Sequence, residues 1–445
     1  MSLFSQKIYT RESSKTSRLW LLLVAFLSAL SIAASAHAAT YYVATNGSDS
    51  NPGTQSAPFK TISKGSQKMA GGDTLLICKG TYNVAMWDGQ DGFEFVNGTP
   101  GAYTRYAACP GDEGKVILMP PGRDFVVKFS TTSAYIELSG LILDGTNTNG
   151  YVVKIDGSWS ENQWPRVRLL RNELRHGWMG IGGGGNAEII GNKSHHMQVY
   201  GLYSAGDHGV LEGNTFHDNG GFGIHIFQEE HRVNAWIIRN NVFFNNGSGY
   251  IHRDTKTRRT GPAVLIAHGA NNQFYNNLIY NNPHGGIIVY RSASDSLVAN
   301  NTIYGNGNYG ISTSGTVRNT RLTNNISWGN NGPQIRDNGT NTSLENNLTT
   351  DPKFVNAAAG DFGVQAGSPA IDKGMTLAQV PDDFTSKKRP EGAAYDIGAF
   401  EGDGPRGGIP PGMAGGLPAG VGGGSGGGGR PVLLGPNGEV CPSGF

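Results

Sequence analysis

The stretch YIHRDTKTRRTG holds His252, Arg253, Asp254, Lys256, Arg258 and Arg259, and upstream FQEEHRVNAW holds Glu229, Glu230, His231 and Arg232. Such a cationic run suits an anionic ligand, because arginine meets a carboxylate through two parallel hydrogen bonds. A lysine held among like charges has its neutral amine favoured, which equips it to remove a proton. Lys256 is therefore the first candidate base, with Arg253, Arg258 and Arg259 set against carboxylates. His225, in GIHIF, is the second candidate, since a neutral imidazole needs no such tuning. Glu229, Glu230 and Asp254 carry the hard oxygens that calcium takes as ligands. His176, His195, His196 and His217 fall at or near turns, and their spacing is not that of a zinc motif. No nucleophile elbow, phosphate loop or paired-carboxylate signature is found.

These side chains need a scaffold, and the sequence repeats. The phrase "Asn, any residue, apolar" returns at Asn172, Asn192, Asn214, Asn241, Asn277, Asn301, Asn325 and Asn347, at separations of 20, 22, 27, 36, 24, 24 and 22 residues. About nine residues after the asparagine comes a strand-like phrase, as at Gly201-Leu202, Gly223-Ile224, Gly286-Ile287 and Gly310-Ile311. Short strands at this period make an all-β solenoid, in which one coil cannot bury its own apolar face and stacking buries it. An interior amide is satisfied by the equivalent amide above and below, so the eight asparagines are expected to form a ladder. The two cation-bearing stretches are the extra residues of the two enlarged units, one after a Gly-Ile strand and one before the next. They should wall a groove across one sheet. Side chains alternate along a strand, so with Ile224 and Ile226 inward, His225 and Phe227 face out, joined by Tyr203, Ile288 and Tyr290 on neighbouring coils. His268 and Arg291 could reach the same groove. The alternative is that these aromatic residues cover one another.

Four cations and Glu12 precede the apolar run Leu19 to Ala34, which ends at Ala36-His37-Ala38. Residues 1–38 read as a cleaved secretory signal, with a membrane anchor as the alternative. Removing them takes the formal charge from +1 to about −2, a near-neutral balance that argues against a nucleic-acid binder. Export suits Cys78 and Cys109, which sit in strand-like segments and are expected to pair; two buried thiols are the alternative, and Cys441 is left over. Residues 404–445 turn abruptly to glycine and proline and read as a disordered tail.

The repeat, the opening ATYYVATNGSDSNPGTQSAPFKTISKGSQKMAGGDTLLICKGTY and the closing DPKFVNAAAGDFGVQAGSPAIDKG with RPEGAAYDIGAFEG resemble the right-handed parallel β-helix proteins of the pectate lyase-like group, over most of residues 40–402. The resemblance implies one β-helix domain over 39–403, with a short helix between Pro58 and Met69 capping its open end and the closing segment ending the fold. It implies that the sheet bearing Tyr203, His225, Phe227 and Tyr290 holds a sugar chain, with His231, Arg232, His252, Arg258, Arg259, His268 and Arg291 around it. The expected partner is an acidic polysaccharide and the expected reaction β-elimination. A C5-epimerase, or a non-catalytic surface protein attached through its tail, is the alternative. The aspartate cluster of calcium-dependent pectate lyases is missing, so calcium rests on Glu229, Glu230 and Asp254 alone. A secreted or surface-bound monomer is expected.

Overall fold

The computed structural model describes residues 38–90, 92–157, 164–227, 233–252 and 255–406. Glu229, Glu230, His231, Arg232, Arg253 and Asp254 lie outside the described residues, as do nearly all of the leader and most of the tail with Cys441.

From Thr40 the chain winds through three parallel sheets in turn. Sheet A has 12 strands, beginning with Thr40–Val43; sheet B has 10, beginning with Gly80–Tyr82; sheet C has 10, beginning with Met86–Trp87. Each sheet pairs a strand with its counterpart one coil on, as in Arg168↔Glu188 in sheet A and Tyr203↔His225 in sheet C. Inward side chains from all three sheets form one continuous core, from Val43 and Phe59 to Val317 and Leu322. The Gly-Ile phrase starts sheet C strands because a coil passes too close above it for a side chain: a Cβ on Gly286 would sit 2.4 Å from the Gly310 carbonyl oxygen.

The expected ladder is present and unbroken. From Asn172 to Asn347, each Nδ2 donates to the next Oδ1 at 2.9–3.1 Å. Each Oδ1 also accepts the preceding asparagine's backbone N–H, so buried amides are paired throughout. The residue before each ladder asparagine is left-handed, for example Asn276, Asn300 and Asn324 at φ 53°, 50° and 55°. That conformation turns sheet A into sheet B and suits asparagine. A second column, not expected from the sequence, runs five residues further on at the turn from sheet B to sheet C. Asn219, Asn246, Asn282, Asn306 and Asn330 are linked at 2.8–3.1 Å, and Gln334 accepts the last Nδ2 at 2.7 Å.

A five-residue helix, Ile62–Ser66, covers the first coil; Thr61 caps it and Asp49 holds Thr61. Cys78 and Cys109, neighbours across sheet A's second and third strands, are joined in a disulfide with Cα atoms 4.7 Å apart. The closing segment does more than end the solenoid: it doubles back over earlier coils. Phe362, Ala399 and Phe400 pack on Phe244 and Tyr280 of sheet B, and Leu377, Val380 and Tyr395 on Tyr275 and Leu297 of sheet A. The outward left-handed asparagines grip its backbone, Asn276 on Asp382, Asn300 on Asp396, Asn324 on Met375 and Asn346 on Lys373. A buried Arg389–Glu401 ion pair ties the clasp together, with Arg389 also donating to Asn276.

Candidate functional site

Strand pairing fixes a row along the outer face of sheet C: Trp87, Lys128, Lys154, Gly182, Tyr203, His225, Leu265, Ile288, Ser312 and Arg336. Each step is one strand spacing, about 4.8 Å. Ile224 and Ile226 point into the core as expected, leaving His225 and Phe227 outward. The outward face differs from an open floor. Phe227, Leu265, Ile288 and Tyr290 pack with Tyr200, Phe222 and Tyr250 into a second apolar layer, with Tyr203 on its margin. Large side chains stacked one strand spacing apart touch along the row and exclude water from one another. The aromatic residues therefore cover one another here, the alternative weighed above.

His225 lies under this layer, 1% exposed, with its ring 4.7 Å from Phe222, 5.3 Å from Tyr200 and Phe227 and 5.4 Å from Tyr203. Its Nδ1 has no hydrogen-bond partner among the described residues. Burial, and then the Arg291 charge, pushes its pKa down to about 3, so the ring is neutral at ordinary pH. Arg291 lies over Phe227 and Tyr290, and its Nη1 is 3.4 Å from His268 Nε2, while His268 Nδ1 meets Ser292 at 2.8 Å. His268 and Arg291 thus form one group at the end of that layer.

The expected insertion before sheet C's Val264–Ala270 strand is an antiparallel hairpin, Tyr250–Ile251 with Arg258–Arg259. It leans on sheet C through Tyr250, 6.4 Å from Tyr200. Lys256 is exposed at its tip in a left-handed conformation, its N–H donating to the His252 carbonyl. Arg258 is exposed and donates to the Ser248 carbonyl at 2.6 Å. Arg259 is buried instead; its Nη2 donates to Thr255, while Nε and Nη1 have no partner among the described residues. The hairpin therefore splits its cations: Lys256 and Arg258 face solvent, and Arg259 turns into the protein.

A second group was missed by sequence reasoning. Lys128 and Lys154 are register partners at the open end of the same row, and Asp156 sits 3.2 Å from Lys128 Nζ and 3.6 Å from Lys154 Nζ. Lys128 lies over the Trp87 and Phe125 rings and Lys154 over Tyr151, at 4.7, 5.3 and 4.8 Å. Beside them Gly182 has no side chain because Tyr151 lies across it, 2.3 Å from where a Cβ would stand. Burial first, and then Lys128, holds the Lys154 ammonium below the ordinary lysine pKa, against the pull of Asp156. The signal in the sequence was the repeated phrase VVKF at 126–129 and VVKI at 152–155. This end of the face has two cations to one carboxylate, half-buried aromatic rings and a lysine biased toward its neutral form, which together suit a flat, anionic ligand and proton abstraction.

Known proteins share the architecture. Residues 147–258 and 253–368 match a family described as right handed beta helix region, and residues 45–89 match one described as a protein of unknown function (DUF1565). Over 45 residues the chain is 47% identical to YwoF, an uncharacterized protein of Bacillus subtilis (strain 168); the match spans 10% of that relative's length. Among solved structures the chain is similar to the pectate lyase Pel9A, with a TM-score of 0.56 and 18% identity over 81% of this chain and 96% of that one. It is also similar to the A-module of the Azotobacter vinelandii mannuronan C-5 epimerase AlgE6, with a TM-score of 0.51 and 19% identity over 63% and 78% of the two chains. Three parallel sheets wound in turn, interior amides stacked coil on coil and a match to the right handed beta helix region along the solenoid show this chain to be a right-handed parallel β-helix, the fold it shares with both solved structures.

Proposed function

We propose that the chain binds an extended, uronate-containing polysaccharide along the outer face of sheet C and cleaves it by β-elimination. The observation that carries this reading is the Lys128–Lys154 pair, set among aromatic rings at the open end of that face. Trp87 and Tyr151 offer platforms for the apolar faces of sugar rings. Lys128 neutralises the C5 carboxylate, which acidifies the neighbouring C–H. Lys154 takes the C5 proton as its neutral amine; the electron pair forms the C4–C5 double bond, and the C4–O4 bond breaks with the leaving oxygen taking a proton from solvent water. Asp156 holds the two lysine side chains at the working distance. The hairpin's Lys256 and Arg258 and the His268–Arg291 group meet carboxylates further along the chain. The fold shared with a pectate lyase and with a mannuronan C-5 epimerase supports the substrate class. No step is routed through calcium, whose expected ligands are not among the described residues. Export and retention through the tail belong to the same reading, supported by the leader pattern and by a disulfide, which suits an oxidising compartment.

Incubating the mature protein with pectate, alginate and glycosaminoglycans should raise the ultraviolet absorbance of an unsaturated product on one of them. Lys154→Ala should lower that rate by about 10²–10⁴-fold, while His225→Gln and Lys256→Ala keep most of it. The rate should rise with pH through a pKa below that of an ordinary lysine, because the base works deprotonated. Loss of activity in Lys256→Ala with Lys154→Ala unaffected would move the base to the hairpin. Inversion at C5 by NMR without unsaturation would make the protein an epimerase, and no change on any polymer would make it a non-catalytic binder.

A further inference from the structure

Histidines from three successive coils, His176, the adjacent His195 and His196, and His217, meet on the outer face of sheet B. We propose that His196, His217 and Asp218 form a binding site for a divalent transition-metal ion such as zinc.

One ring nitrogen from each of His196 and His217 and a carboxylate oxygen of Asp218 lie within 4.8 Å of one another. His195 Nδ1 is 2.7 Å from His196 Nδ1. At that separation the two nitrogens share one proton in a hydrogen bond, which places His195 beside the donor set. The other nitrogen of His195, Nε2, faces Glu173 Oε1 at 3.5 Å. That carboxylate keeps the proton on His195 Nε2, so His195 Nδ1 accepts from His196 and fixes the orientation of the His196 ring. His217 is held flat between His195 at 4.7 Å and Phe244 at 4.8 Å, with interplanar angles of 13° and 0°. Its Nδ1 already lies 2.7 Å from Asp218 Oδ2, so the two donors converge.

The local backbone explains how they meet. His196 and Asp218 occupy the left-handed position of the turn from sheet B to sheet C, one coil apart, at φ 55° and 52°. Asn245, Asn281, Gly305 and Gly329 take that position in later coils. His195 and His217 are register partners on the strands just before. His176 takes the same turn one coil earlier but is drawn to Asp144 at 3.5 Å, which leaves it beside the donor set. Imidazoles with a single carboxylate suit zinc, nickel, copper or cobalt and do not suit calcium. His196 is exposed, which leaves the ion a path in. Bound there, the ion bridges two coils through side chains that come from both.

Cobalt(II) titrated into the full chain, made without a histidine tag, should give a saturable visible absorption at one ion per protein. His196→Ala and His217→Ala should each weaken binding by about tenfold or more, whereas His208→Gln, an exposed histidine on another turn, should leave it unchanged. Zinc should raise the Tm of the parent protein and leave that of His196→Ala where it was. Matching circular dichroism without metal establishes that the variants are folded. The proposal fails if no saturable signal appears up to about 1 mM metal, or if both alanine variants bind as tightly as the parent.

Discussion

Asn277→Ala should destabilise the protein by about 3–5 kcal/mol, since each buried polar group left without its partner costs about 1–3 kcal/mol. The Asn277 Oδ1 accepts the Asn241 backbone N–H and Nδ2, at 2.9 and 3.0 Å. Its Nδ2 donates to the Ile238 and Tyr275 carbonyls and to Asn301 Oδ1, at 3.0, 2.9 and 2.9 Å. Alanine orphans two donors on one coil and removes a donor from the next, within a stretch of the column that is fully buried. Asn347→Ala, at the partly exposed end of the same column, opens its own place to solvent, which can then reach the two Asn325 donors, and should cost about 1 kcal/mol. Urea midpoints on the two variants separate these outcomes. Equal losses at the centre and the end would mean that the column does not act as a coupled unit.

Acid should unfold the protein through His225. Its folded-state pKa of about 3 lies below the ordinary 6.5, so between those values the unfolded chain binds a proton that the folded chain refuses. The stability held by the neutral ring is fully present above about 6.5 and is lost as pH falls toward 3, up to about 5 kcal/mol in all. The rings of Tyr200, Tyr203, Phe222 and Phe227 around it offer no counter-charge, and Arg291 raises the cost of charging it. His284, pushed down to about 4 by burial, adds to the loss in the same window. Tm measured from pH 7 to pH 4 should fall more steeply for the parent protein than for His225→Gln. Parallel curves would show that the ring is reached by solvent and titrates in place.

The fold was legible because a coil reports on itself: an asparagine that must lie inside recurs with the same neighbours, and eight such phrases give the period. The second amide column is as regular, yet Asn219, Asn246, Asn282, Asn306 and Asn330 did not stand out in the sequence, since a turn asparagine and an interior one share their local context. Lys128 and Lys154 went unnoticed because they precede Asn172, where the repeat first supplies a register. The histidine cluster is spaced by the coil, so His195 and His217 stand side by side at a separation that no short metal motif has. His225 and Phe227 were assigned the correct face, but their burial depends on Tyr200, Phe222 and Tyr250 from three different coils. The clasp was hidden for a similar reason: Asn300 meets Asp396, and only the folded chain brings them within reach.

That clasp also fixes how long this molecule can be. Its backbone grips one outward asparagine on each of four successive coils, at Asn276, Asn300, Asn324 and Asn346, as a key fits four pins. Duplicating a single unit between them would lengthen the rod by about 4.8 Å and leave part of the grip out of step, uncovering Phe244 and Tyr280. Lineages of this protein can gain or lose units ahead of the gripped stretch, but within it the number of turns is set by the reach of its own final segment.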